Sequence, residues 1–76
     1  MTIQISEVHD ALRKIVANQD AKALNYCVNY AKAGLYMSYI DELKTQVLYV
    51  LNNMTHWRGD DAKLVRTTLK QFVKEN

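Results

Sequence analysis

Residues 56–62 read HWRGDDA, and they decide how the C-terminal half of the chain folds. Gly59 follows the last residue of a helix-like apolar pattern, and without a β-carbon it can adopt the conformations that end a helix. Asp60 can cap a following helix, and Asp61 would lie at the positive end of its dipole. The stretch predicts a connection of one or two residues between antiparallel helices, with Trp57 packed inside the corner.

Two helices are predicted on either side of this corner. The first should run from Tyr39 to about Trp57, with the hydroxyl of Ser38 as its cap. Its apolar arc is wide, as is typical of the central helix of a bundle. The arc comprises Ile40, Leu43, Val47, Leu48, Val50, Leu51, Met54 and Trp57. The second should run from Asp60 to about Lys74, and its predicted buried side comprises Ala62, Val65, Leu69, Phe72 and Val73.

The N-terminal half is also predicted to be helical, because the chain contains no proline and only two glycines. Ser6 can cap a first helix, whose apolar residues then recur at steps of three and four. Asp20 can cap a second helix from Ala21 to about Ala33. Gly34 can close that helix in the left-handed conformation.

These patterns together predict an all-α fold: a compact bundle of three to four helices with a C-terminal antiparallel helical hairpin. Residues 1–76 show no repeat, linker or low-complexity tract, so we expect one domain. A chain of this length has little stability to spare and depends on good packing or self-association.

The composition also narrows the classes of function. Cys27 is the only cysteine, which excludes an internal disulfide. Cys27, His9 and His56 lack the close spacing of a zinc site, so we expect no metal and no cofactor. No segment has the charge and apolar pattern of a secretion signal or the length of a membrane span. We therefore expect a cytoplasmic protein that does not contact a membrane.

Charge is concentrated at the C-terminal end. Basic and acidic residues balance through Trp57, so the net charge of +2 comes from the residues after it. Four cations recur at steps of three or four and form a predicted basic ridge on the last helix: Lys63, Arg66, Lys70 and Lys74. This ridge could bind phosphates of a nucleic acid, dock on an acidic protein surface, or serve only to keep the protein soluble.

The second predicted helix is apolar on two sides. One side carries Leu24, Cys27, Val28, Ala31 and Leu35, and the other carries Ala23, Tyr26, Tyr30 and Ala33. Tyrosine is enriched at protein interfaces, so Tyr26 and Tyr30 could bind another chain and make the protein a homo-oligomer. The alternative is that these tyrosines are buried against the first helix or the N-terminal residues.

A third candidate surface lies opposite the apolar arc of the third helix. Tyr49 is predicted there among polar residues, namely Glu42, Thr45, Asn52, Asn53 and His56. Such a face could hydrogen-bond a partner or a nucleotide base, although a single exposed tyrosine is ordinary. Neither histidine has an identifiable nucleophile as partner, and no phosphate-binding loop exists, so we expect no enzymatic activity.

Two stretches, ALNYCVNYAKAGL (residues 23–35) and QVLYVLNNMTHWRGDDAKLVRTTLK (residues 46–70), resemble small helical proteins encoded by bacteriophages and prophages. The resemblance implies an origin and the host cytoplasm as setting, and no particular chemistry. It favours an accessory protein that binds a host protein stoichiometrically, including a component of a bacterial defence system. The alternative is a protein that binds nucleic acid or a nucleotide through the basic ridge.

Overall fold

In a computed structural model, which describes residues 2–76, the chain forms four α-helices. They are α1 (Ile5–Ala17), α2 (Cys27–Gly34), α3 (Ile40–Asn52) and α4 (Asp60–Glu75). One 3₁₀ turn, Lys22–Leu24, precedes α2, and no β-strand occurs among the described residues. The predicted all-α class is confirmed.

The four helices form a closed ring. Each helix packs against its neighbour in the chain, and α4 packs back against α1. The first and last helices are antiparallel, because the Ile3 N–H donates to Glu75 Oε1 (2.6 Å) at one end while Lys14 Nζ lies 3.9 Å from Asp61 Oδ1 at the other. No helix of residues 2–76 has both the length and the apolar character needed to cross a membrane.

One apolar core fills the centre of this ring and takes residues from every helix. Most positions predicted from the sequence are buried there, including Trp57, of which 6% is exposed. The core comprises Val8, Ala11, Leu12, Ile15, Leu24, Cys27, Val28, Ala31, Leu43, Val47, Val50, Met54, Trp57, Ala62, Val65, Leu69 and Phe72. The predictions that the tryptophan is internal and that two separate helices flank it are therefore confirmed.

The start of α1 differs from the prediction. Ser6 lies inside the first turn, and Gln4 is the N-cap. The Gln4 N–H donates to Glu7 Oε1 over 3.2 Å, so the acidic side chain reaches back to a backbone donor of the helix start. This pairing places the first residue of the helix one position before Ser6.

The second helix begins later than predicted and ends differently. Asp20 does not cap it, because the chain first forms the 3₁₀ turn and α2 begins only at Cys27. Gly34 is helical, and Gly59 is the only residue with a positive φ among those described. A β-carbon at Gly34 would lie 2.7 Å from Leu12 Cδ1. Glycine at this position therefore serves the close approach of α1 and α2.

The third helix is shorter than predicted at its C-terminal end. It ends at Asn52, and the N–H groups of Asn53, Met54 and Trp57 each donate to the carbonyl three residues before. Asn53 Nδ2 also donates to the Tyr49 carbonyl (2.8 Å), which competes with continued helix. At the other end, Tyr39 is the N-cap, and no side chain, including that of Ser38, caps the helix.

The corner is therefore longer than predicted. Residues 53–59 connect the two helices, and Gly59 is the N-cap of α4 rather than the end of α3, with φ 113° and ψ 179°. Asp60 is the first residue of α4 rather than its cap. The antiparallel arrangement of α3 and α4 stays a prediction.

The wide apolar arc of α3 is only partly buried. Leu43, Val47 and Val50 are fully buried, whereas Ile40 is 45% and Leu48 43% exposed. In a ring of four helices each helix has two neighbours and one outer side, so α3 buries a stripe and is not the central helix.

Candidate partner-binding surface

Tyr26, the N-cap of α2, and Tyr30 within α2 lie on the outer side of this helix. Tyr26 is 80% exposed and Tyr30 39% exposed. The opposite stripe of α2, which includes Cys27, Val28 and Ala31, is buried in the core. The two-sided character predicted for this helix is confirmed, and the interpretation in which its tyrosines are buried against the first helix is wrong.

Tyr30 is stacked on Tyr49 of α3. Their ring centroids are 5.6 Å apart and the ring planes differ by 14°, an arrangement in the favourable range for aromatic pairs. Gln46 Nε2 donates to the Tyr30 carbonyl (2.9 Å), which fixes the register of α3 against α2 at this level. Two groups of residues that the sequence places on separate helices thus form one continuous surface.

A shallow hollow of about 410 Å³ opens beside this stack. Asn25, Tyr26, Asn29 and Tyr30 line it from the region of α2, and Asn53 lines it from the end of α3. None of these side chains carries a charge at neutral pH. We call the five lining residues together with Tyr49 the Tyr–Asn surface.

Several polar groups of the Tyr–Asn surface remain available for hydrogen bonds. Asn53 uses its Nδ2 for the Tyr49 carbonyl, which leaves its side-chain oxygen as an acceptor. The exposed side-chain amides of Asn25 and Asn29 make no hydrogen bond to the rest of the described chain. A partner that covers the hollow must satisfy these amides, because buried polar groups without a partner are costly.

Other residues of the predicted polar face lie outside the hollow. Glu42, Thr45, Asn52 and His56 are exposed but do not line it, and the Thr45 hydroxyl donates to the Asp41 carbonyl (3.3 Å). Asn25 and Asn29, by contrast, line the hollow from the region of α2. Their convergence with Asn53 depends on the packing of α2 against α3, which periodicity does not reveal.

The basic ridge is smaller than predicted, because Arg66 turns away from it. Its Nη2 donates to the carbonyls of Met54 (2.9 Å) and Trp57 (3.0 Å), and the residue is half-buried. Lys63, Lys70 and Lys74 are exposed. On a helical wheel these three lysines fall within about 40°, and the ion pairs among residues 2–76, Arg13–Asp10 and Lys14–Asp61, do not involve them.

Two residues with potential for acid–base or nucleophilic chemistry, His9 and Cys27, have structural contacts. His9 Nε2 lies 2.8 Å from the Met37 carbonyl, to which it donates, and this bond joins α1 to the segment before α3. Cys27 Sγ donates to the Val50 carbonyl (3.5 Å), and burial raises the pKa of this thiol to about 11. Within residues 2–76, no three His, Cys, Asp or Glu side chains lie close enough to hold a metal ion.

A second, smaller groove runs between α1 and α4. Its volume is about 160 Å³, and its lining combines Glu7, Asp10 and Lys14 with Leu64, which is 53% exposed. The groove contains charges of both signs. It offers less room than the hollow of the Tyr–Asn surface.

Comparison with known proteins adds no relative to this description. No protein-family model matches the chain, and searches of curated proteins and of solved structures found no match. The geometry of the chain itself, together with its charge distribution, therefore carries the functional argument.

Proposed function

We propose that this chain is a small binding protein without catalytic activity, and that it binds a partner protein stoichiometrically through the Tyr–Asn surface. The observation that carries the proposal is the Tyr30–Tyr49 stack beside an uncharged hollow with unpaired amides. Tyrosine is among the residues that contribute most to binding at protein interfaces, and charged residues are depleted from interface cores.

The stack also lowers the cost of binding. Ordering a mobile side chain at an interface costs about 0.5–1.5 kcal/mol. Tyr30 and Tyr49 already hold each other in place across α2 and α3, so less of this cost remains to be met. The surface is thus organised before a partner arrives.

The absence of catalysis is part of the proposal. Amide side chains do not ionise, so Asn25, Asn29 and Asn53 offer hydrogen bonds but no acid or base. The neutral thiol of Cys27 is a poor nucleophile, because the thiolate is the reactive form.

A bacterial host protein is the partner class that we propose, on the resemblance of residues 23–35 and 46–70 to small phage proteins. A component of a host defence system is the first candidate to test. Binding to a second copy of the chain is an alternative use of the same tyrosines, and sedimentation of the wild type and of Tyr26→Ala over a range of concentrations distinguishes it.

The test is a quantitative pull-down from bacterial lysate with three tagged proteins: wild type, the double variant Tyr26→Ala with Asn29→Ala, and Tyr36→Ala. Tyr36 is 90% exposed and does not line the hollow, so it is a matched control. We expect one protein to be captured by the wild type and the control but not by the double variant, and to bind purified chain at a fixed ratio. Equal capture by all three would contradict the proposal.

The three lysines that remain of the basic ridge provide a second candidate function, the binding of phosphate groups. Lys63, Lys70 and Lys74 are exposed and grouped on one side of α4. If the three lysines neutralise three phosphates, the logarithm of the binding constant should fall with the logarithm of the salt concentration with a slope of at most about 3. Retention of the wild type on a phosphate-bearing column at low salt, lost in Lys63→Glu with Lys70→Glu, would support this function; retention unaltered by these substitutions would exclude it.

A further inference from the structure

We propose that the Tyr–Asn surface recognises an extended, uncharged segment of the partner's polypeptide by its main chain. This inference rests on the proposed function and specifies the chemistry of the partner. It follows from the spacing of the asparagines, from the chemistry of their amides and from the shape of the hollow.

Spacing is the first argument. Asn25 and Asn29 are four residues apart, and Asn25 and Tyr26 both have right-handed helical backbone angles although they precede α2. Four helical residues rise by about 6 Å. An extended chain repeats every two residues, about 6.6–6.8 Å, so successive repeats of a strand can meet both asparagines with a mismatch of less than about 1 Å.

Amide chemistry is the second argument. Each asparagine side chain carries a carbonyl acceptor and N–H donors in one plane, the same groups that a peptide bond offers. Asn25 and Asn29 can each pair with a main-chain N–H and C=O, and Asn53 at the end of α3 offers its side-chain oxygen as an acceptor, while one of its two N–H groups is bonded to the Tyr49 carbonyl. Extended backbone has unpaired donors and acceptors that need such partners.

The walls of the hollow are the third argument. Alternate side chains of an extended segment point in opposite directions, so every second one would enter the hollow that Tyr26 and Tyr30 help to line. The volume of about 410 Å³ suits one or two apolar side chains of moderate size. Because the lining carries no charge, a charged side chain buried there would be unpaired, and such a segment is disfavoured.

A second copy of the chain fits these features less well. Among residues 2–76 it has no β-strand, and its longest segment between α-helices, residues 18–26, contains a 3₁₀ turn and backbone hydrogen bonds of its own. The extended residues next to its helices, such as Gln4 and Tyr39, are single N-cap positions, so another copy offers no strand to the hollow. The occupant that we propose is an extended segment of a different protein.

The test uses a display library of random dodecapeptides selected on the wild-type protein, followed by fluorescence anisotropy with the selected peptides. We expect peptides that are uncharged at alternate positions and that bind at least tenfold more weakly to Asn25→Ala with Asn29→Ala. Both substitutions favour helix, so the fold should persist, which circular dichroism checks. Tyr36→Ala is the control and should bind as the wild type does.

Main-chain recognition is tested by methylating the peptide nitrogens one at a time. We expect losses at every second residue across a short window, because only the N–H groups that face the amides matter. Selection of no peptide, selection of helical or charged peptides, equal binding by the asparagine variant, or uniform tolerance of methylation would each overturn the inference. Concentration-dependent dimerisation that requires Tyr26 would overturn it in favour of a second copy.

These outcomes are separable from those of the proposed function. A lysate partner that needs the Tyr–Asn surface, combined with failure of the peptide selection, leaves the proposed function intact and removes only the inference about extended backbone. Capture that does not depend on the Tyr–Asn surface removes both.

Discussion

Arg66→Met tests whether the guanidinium supports the corner between α3 and α4. The substitution keeps most of the aliphatic stem but removes the two hydrogen bonds to the carbonyls of Met54 and Trp57. A hydrogen bond from a charged group contributes about 1.5–3 kcal/mol. Arg66 is half-buried, so water can partly replace the lost donor, and we expect a loss of about 2 kcal/mol for both bonds together rather than the full sum.

Such a loss is large for a chain of this size. Total stability scales as about 0.05–0.15 kcal/mol per residue, so about 2 kcal/mol is a substantial fraction of the whole. It corresponds to a decrease of about 8–16 °C in Tm, at 4–8 °C per kcal/mol. Urea unfolding followed by the fluorescence of Trp57 measures the loss directly, and the m-value shows whether the unfolded state is unchanged.

Lys70→Met is the matched control. Lys70 lies one helical turn after Arg66, is exposed and makes no ion pair in the described chain. Its substitution should change the free energy of unfolding by less than about 0.5 kcal/mol. If Arg66→Met were as stable as the wild type, or if Lys70→Met lost as much, the structural role of the guanidinium would be refuted.

Three further predictions concern single residues. Gly59→Ala should destabilise the fold by about 1–3 kcal/mol, because an alanine is strained at the φ of 113° found there. The strain is that of the backbone, since a β-carbon at this position would meet no atom within 4 Å. Thermal unfolding measures the loss of stability, and an unchanged Tm would contradict the prediction. Cys27 should react with a thiol reagent at pH 8 at least 100-fold more slowly in the folded protein than in urea, because its pKa is raised to about 11; equal rates would contradict its burial. A hydrogen bond from the Gln71 side chain, and to a smaller extent one from the Ile3 backbone N–H, holds the pKa of the Glu75 carboxyl below its usual 4.5. The stability that Glu75 contributes is therefore complete above pH 4.5 and is lost as the pH falls through the lower pKa of the folded state. Glu75→Gln should therefore weaken the fall in the free energy of unfolding at acid pH, and an unaltered fall would refute the contact.

The ends of α4 could be predicted from the sequence, but the end of α3 could not. The two acids after Gly59 predicted a helix start at Asp60, although Gly59 itself was assigned to the end of α3. By contrast, the chain after α3 continues in turns in which a backbone N–H donates to the carbonyl three residues before it. Met54 and Trp57 therefore remain three residues apart on the same buried side. Such turns bury every third side chain much as a helix does, so the apolar period continued beyond the helix itself.

The candidate surface was predicted in parts. Exposure of Tyr26 and Tyr30 was one of two interpretations open from the sequence, and Tyr49 was placed on a different face. What joins them is the register of α2 against α3, which follows from contacts that lie far apart in the sequence. Gly34 approaches Gln46 and Leu43 of α3, and Gln46 bonds to the Tyr30 carbonyl. The same kind of contact removed Arg66 from the predicted basic ridge, because helical periodicity places a side chain on a face but does not say how far it bends.

The bond between the Ile3 amide and the Glu75 carboxylate brings residues 3 and 75 together on the α1–α4 side of the ring, whereas the Tyr–Asn surface lies on the α2–α3 side. A short linker between these two residues could therefore give a circular permutant, with new termini opened between Asn53 and Gly59. Immobilisation of the protein near residue 3 or near residue 75 would leave the tyrosines facing solution, so both orientations on a sensor chip should report the same affinity.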